Sequence, residues 1–93
     1  MAYNIKNYTK LQAKKIGVVV KPSTRKNKKI DVFDKNGEKL ASIGAIGYGD
    51  FPTFKEEKGK VFADQKRKNY KQRHEKDRHK KGSGGWFADN LLW

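Results

Sequence analysis

The sequence predicts an α+β fold: a small antiparallel β-meander of about three strands, one long basic helix, and a C-terminal aromatic segment packed on the core. Three observations carry this. β-Branched runs at residues 16–21 and 28–33 are followed by an Asn-Gly pair at 36–37 and a third extended run. Residues 55–81 hold no Pro and one Gly, and are rich in Lys, Arg, Gln and Glu, which favour helix. The stretch WFADNLLW at residues 86–93 carries five large apolar side chains in eight positions, an amount of apolar area seldom left in water.

Composition sets the scale of the core. The 93 residues suffice for one small domain, which buries only about two thirds of its unfolded surface. With 34% hydrophobic and 35% charged residues, the chain lies near the border with disorder, but its eleven aromatics (2 Trp, 4 Tyr, 5 Phe) supply large buriable area. A formal net charge of +13 implies self-repulsion until an anion is met. Nucleic acid is the first expectation, with an acidic protein surface or an anionic membrane as competitors. With no Cys there is no disulfide framework and no thiolate metal site. No apolar run approaches the ~20 residues that span a bilayer. The opening MAYNIKNYTK lacks the apolar core of a signal peptide, so the expectation is a soluble protein that is not secreted.

Residues 1–15 mix Tyr3, Ile5, Tyr8 and Leu11 with four lysines, which reads as an N-terminal arm, either a short strand or an ordered arm packed on its own domain. Residues 16–93 form the domain proper, with the meander over 16–49. The first strand, IGVVVK, is bounded by Pro22. The loop KPSTRKNKK that follows holds five cations and no acid. In the strand 28–33, Ile30 and Val32 should face one way and Lys29 and Asp31 the other. DKNG at 34–37 makes the hairpin turn, and 38–43 returns as the third strand. The glycine-rich GAIGYG at 44–49 lacks the spacing of a dinucleotide fingerprint and has no following Gly-Lys-Ser/Thr, so it reads as a tight turn. Pro52 bars a strand at 50–54, and Thr53 with Glu56 three residues later has capping-box order. The helix over 55–81, weakened at Gly59, ends at GSGG, and 86–93 folds back as a core plug; a docking peptide for another protein is the alternative.

The functional clue is residues 66–81, KRKNYKQRHEKDRHKK, nine Lys or Arg against two acids. As a helix it places Tyr70 and His74 on one face with Phe62 and Ala63, and gathers Arg67, Lys68, Lys71 and Arg78 on the opposite side. Pairs such as Lys71–Glu75 and Arg73–Asp77 are too few to absorb that surplus. The expected nucleic-acid-binding surface is therefore Arg25, Lys26, Lys28 and Lys29 on the first loop, joined by Arg67, Lys68, Lys71, Arg78, Lys80 and Lys81. Such a surface takes phosphates without reading bases, since no recognition-helix or RNP motif is present. The Tyr residues are expected in the core, with stacking of exposed ones on single-stranded bases as the alternative. His74 and His79, five apart, do not share a helical face and make no metal pair. Asp31, Asp34, Asp50, Glu56 and Glu57 are scattered over turns and strand ends, and no nucleophile–base pair is visible among the serines and threonines. A Mg²⁺-dependent nuclease using Asp31 or Asp50 is the enzymatic alternative. The expectation is no catalytic residue, no metal and no cofactor.

The order KPSTRKNKKIDVF, IGAIGYGDFPTF, RKNYKQRHEKDR and GSGGWFADNLLW resembles a family of small basic proteins of large DNA viruses of algae and protists and of some bacteriophages. The resemblance covers roughly residues 19–93, and its most specific parts are Tyr70-x-x-Arg73-His74 and Leu91-Leu92-Trp93. It implies a viral setting, in the virion or the host cytoplasm during infection. In that setting a small basic protein is most often a virion component that contacts genome, capsid shell or both; joined to the charge pattern, the expectation is a non-enzymatic virion component binding genome phosphates without sequence specificity. The alternative is a minor capsid protein whose cations meet acidic faces of a major capsid protein.

Overall fold

The computed structural model describes residues 3–93; Met1 and Ala2, the first two residues of the expected arm, lie outside them. The element order is α1 (Asn7–Ile16), β1 (Val19–Pro22), β2 (Lys28–Phe33), β3 (Lys39–Ala45), α2 (Phe51–Lys58), α3 (Lys60–Arg73) and α4 (Gly84–Leu92). The sheet is an antiparallel meander in the order β1-β2-β3, as the α+β prediction requires. Its hairpin is held at Asp34, whose backbone N–H donates to Glu38 O and whose Oδ1 accepts from the N–H groups of Asn36 and Glu38. The β2–β3 register shifts between Val32 and Phe33.

Ile30 and Val32 face the main core with Ile43, and the α4 residues Phe87, Leu91 and Leu92 fill it. Ala13 of α1 completes the cluster. The expectation that the 86–93 segment plugs the core is met by α4, which Ser83 caps by accepting from the Trp86 N–H. The other end of α4 leaves carbonyls without helical partners. Thr9 Oγ1 donates to Leu91 O at 2.8 Å and Gln12 Nε2 to Asn90 O at 3.2 Å. These two bonds explain why the arm is a helix and not a strand: Thr9, Ala13 and Ile16 follow an i, i+4, i+7 stripe that packs on α4.

Two expectations are corrected. The helix over 55–81 is two helices and an irregular tail. It begins at Phe51, because Asp50 and not Thr53 is the cap: the Asp50 side chain accepts from the Thr53 N–H at 3.0 Å, and Pro52 sits in the first turn where its missing N–H costs nothing. It breaks at Gly59, whose φ of +89° is a backbone state closed to most side chains. It stops at Arg73, so residues 74–81 run as successive turns. The second correction concerns Lys29, expected on the phosphate-binding surface: alternation along β2 sets Lys29 and Asp31 opposite Ile30 and Val32, but all four are buried.

Close approach is part of the design at β3. A side chain at Gly44 would place its Cβ 2.8 Å from Leu92 Cδ1, and one at Gly49, in the loop that follows, would run into the Phe54 ring. Phe51 of α2 and Ala63 and Tyr70 of α3 are buried outside the main core cluster.

Candidate nucleic-acid interface

The ten cations expected to bind phosphate fall into three environments. Lys29 is the clear exception to the expectation. It is 5% exposed, its Nζ lies 2.9 Å from Asp50 Oδ2 and donates to Tyr48 O, and it sits 5.2 Å from the centre of the Tyr3 ring. Asp50 is 1% exposed. Burial opposes its ionisation, but hydrogen bonds from Tyr3 Oη (2.6 Å), the Thr53 N–H and Lys29 outweigh burial and hold its carboxyl below the usual value. Burial pushes the Tyr3 hydroxyl up, and the Asp50 charge beside it adds to that. Lys29 is thus an internal tie from β2 to the start of α2, removed from the candidate interface because its charge is spent on Asp50.

Arg67, Lys68, Lys71 and Arg78 do come together, along one groove of about 650 Å³ that also presents Asp64, Gln72 and Glu75. Much of their charge is met there. Lys71 Nζ lies 2.8 Å from Asp89 Oδ1, and Arg78 bridges Glu75 at 2.6 Å and Asp89 at 3.6 Å. Arg67 is not opposite the apolar face, as the sequence reading placed it. Ala63, Arg67, Tyr70 and His74 run i, i+4, i+7, i+11, which is one helical stripe. The Arg67 guanidinium accordingly lies 3.5 Å from the centre of the Phe51 ring and donates to Tyr8 Oη at 3.2 Å, tying α3 to α1 and α2.

Arg25, Lys26, Lys28, Lys80 and Lys81 form the third group. Among the described residues none of them meets a carboxylate. Lys28, at the start of β2, and Lys80, in the turns after α3, line one shallow pocket together with Lys76, Asp77 and His74. Of the five, Lys28 and Lys80 are thus brought to one pocket, while Arg25, Lys26 and Lys81 do not line it. The cationic loop itself is fixed from below by Asp31, which is 1% exposed. It accepts from Ser23 Oγ (2.6 Å), Ser42 Oγ (2.7 Å) and the Thr24 N–H (3.2 Å), and pairs with Lys39 at 3.2 Å. Burial works against the Asp31 charge, yet these donors prevail and hold its carboxyl far below the ordinary range. Asp31 and Asp50, the carboxylates considered for metal chemistry, are each occupied by internal donors. Among the described residues no three of His, Asp and Glu converge on one point.

A further feature escaped the sequence reading. A cleft of about 960 Å³ opens between the glycine-rich loop and α3, lined by Tyr48, Phe54, Tyr70, His74 and Trp93 and flanked by Lys66 and Arg73. Tyr70 is sandwiched between Trp93 (ring centres 4.5 Å apart, planes 9° apart) and His74 (4.4 Å, 29°). The Tyr70–His74 spacing of four was visible in the sequence; Trp93 joins them only because α4 folds back.

These features define a small α+β domain with a cationic loop, a partly compensated basic helix and a ring-lined cleft. Residues 18–74 match the Family of unknown function (DUF5754), and the chain belongs to that family. The matched span takes in the sheet, the glycine-rich loop, α2 and α3. No curated protein and no solved structure matches the chain.

Proposed function

We propose that the protein is a non-enzymatic binder of nucleic-acid phosphates, without sequence specificity, that serves as a virion component. One observation carries this. Only six of the 23 Lys and Arg residues, namely Lys6, Lys29, Lys39, Lys60, Lys71 and Arg78, pair with carboxylates among the described residues. The internal acids therefore leave most of the positive charge to an external anion. The juxtaposition of Lys28 with Lys80 supports a contact surface made by Arg25, Lys26, Lys28, Lys80 and Lys81, with Lys68 on the neighbouring groove. The viral setting rests on the resemblance carried by Tyr70-x-x-Arg73-His74 and Leu91-Leu92-Trp93.

Electrophoretic retardation of single- and double-stranded nucleic acid, with a salt titration, tests the reading. Binding at low salt and release by about 0.5 M salt are expected. Lys28→Gln and Lys80→Gln should each lower the log–log salt slope by about one, whereas Lys71→Gln should lower it less because Asp89 already holds that charge. No retardation at low salt, with stoichiometric recovery of the protein in empty shells, would instead assign the cations to acidic faces of a capsid protein.

A further inference from the structure

We propose that the cleft between the glycine-rich loop and α3 holds an unpaired base of single-stranded nucleic acid, stacked against the Trp93–Tyr70–His74 ladder with Tyr48 as the opposing jaw. This rests on the phosphate-binding reading and adds to it a preference for single strands, since a base paired and stacked in a duplex cannot enter.

Size, shape and charge point to this occupant. The cleft, at about 960 Å³, lies at the upper end of the ~300–1,000 Å³ typical of sites for small ligands. Five of the residues lining it, Tyr48, Phe54, Tyr70, His74 and Trp93, carry flat rings, and a flat heteroaromatic ligand is what rings select without regard to sequence. The ladder also ends in an accessible ring: one face of His74 is taken by Tyr70, yet its side chain remains 40% exposed. Tyr48 is 76% exposed, an uncommon cost for a ring of its size unless something covers it. It projects from a loop anchored beneath by the Lys29 ammonium on its carbonyl oxygen, so the backbone is fixed while the ring stays available. Asn69 and Gln72 offer amide donors and acceptors to a base edge at the wall. Lys66 and Arg73 flank the opening, and among the described residues neither meets a carboxylate. They are placed for the phosphates on either side of the inserted base. The one buried acid at the floor, Asp50, is neutralised by Lys29 and does not repel a polyanion.

The test uses the full chain with Trp86→Phe, so that Trp93 is the remaining indole, and probes it with a single-stranded DNA oligonucleotide and a duplex of equal phosphate count. The single strand should quench and shift Trp93 fluorescence; the duplex should bind through charge and leave Trp93 unchanged. Tyr48→Ala, which removes the ring but keeps the carbonyl that Lys29 holds, should weaken single-strand binding about tenfold and leave duplex binding as it was. Circular dichroism and the urea midpoint establish that both variants are folded. If single strand and duplex bind alike, Trp93 reports neither, and Tyr48→Ala changes nothing, the cleft assignment is overturned while the phosphate reading stands. Failure of both probes to bind at low salt would remove both.

Discussion

Replacing Lys29 by Met should destabilise the protein far more than removing an exposed cation does. The ammonium and the Asp50 carboxylate lie 2.9 Å apart with side-chain exposures of 6% and 1%. Their desolvation is already spent in the folded state, so deleting one partner leaves a buried charge without compensation, which costs about 3–5 kcal/mol. Tyr3 and the Thr53 N–H still donate to Asp50, which favours the lower end of that range. For a domain whose total stability is on the order of 5–15 kcal/mol, this is a large share. At roughly 4–8 °C per kcal/mol for a chain of this size, the midpoint should fall by at least about 12 °C. The assay is urea and thermal unfolding of Lys29→Met, Asp50→Asn and the double variant. The double variant should recover part of the loss, because no uncompensated charge remains. A loss under about 1 kcal/mol, the scale of an exposed pair, or strict additivity of the two single changes would refute the internal-tie assignment.

Two further changes probe the site's support. Asp31→Asn should cost about 1–3 kcal/mol at neutral pH and speed amide exchange at Thr24, since the donors from Ser23, Ser42 and Lys39 lose a charged acceptor. Because the folded carboxyl takes its proton at lower pH than the unfolded one, this stabilisation is complete above about pH 3.9 and is lost as pH falls toward the folded-state value. An acid titration of stability should therefore be steeper in wild type than in Asp31→Asn, and equal slopes would sink the assignment. Gly44→Ala combines a φ of +76° with a 2.8 Å approach to Leu92 Cδ1, and should cost about 1–3 kcal/mol in the urea midpoint. A midpoint within error of wild type would show that β3 and α4 separate easily.

The meander was legible because its signals are local. Alternation in β2 and the Asn-Gly turn need no partner to be interpreted, and the strand 28–33 emerges with the predicted bounds. What local pattern missed was burial on both faces. Alternation sets Lys29 and Asp31 on the other side of β2 without saying what covers that side, and only the fold brings Asp50 to Lys29 across 21 residues and Ser42 to Asp31 across 11. The break at Gly59 was flagged, but its φ belongs to the turn between two packed helices and not to composition. The tail after Arg73 carries residues with good helix propensity, yet it runs as turns. Propensity sums to little there, because the stretch has no apolar stripe with which to pack as a helix.

The candidate interface was legible in composition and not in geometry. Counting nine cations against two acids over residues 66–81 gave a basic helix face, but the count omitted Asp89, which sits on α4 and reaches both Lys71 and Arg78. The same return of α4 that brings Asp89 to the helix also brings Trp93 to Tyr70. One folding event thus lowers the free charge on α3 and builds the ring ladder beside it. On the proposed reading, phosphate contact falls to the loop and the post-helix turns, where Lys28 and Lys80 line one pocket, while Tyr70 and His74 at the α3 end line the cleft. Backbone-phosphate contact alone does not account for a ring-lined cleft beside Lys66 and Arg73, neither of which pairs with a carboxylate among the described residues. The separation of a charged surface from a stacking surface is what a ligand with phosphates on one side and flat bases on the other requires.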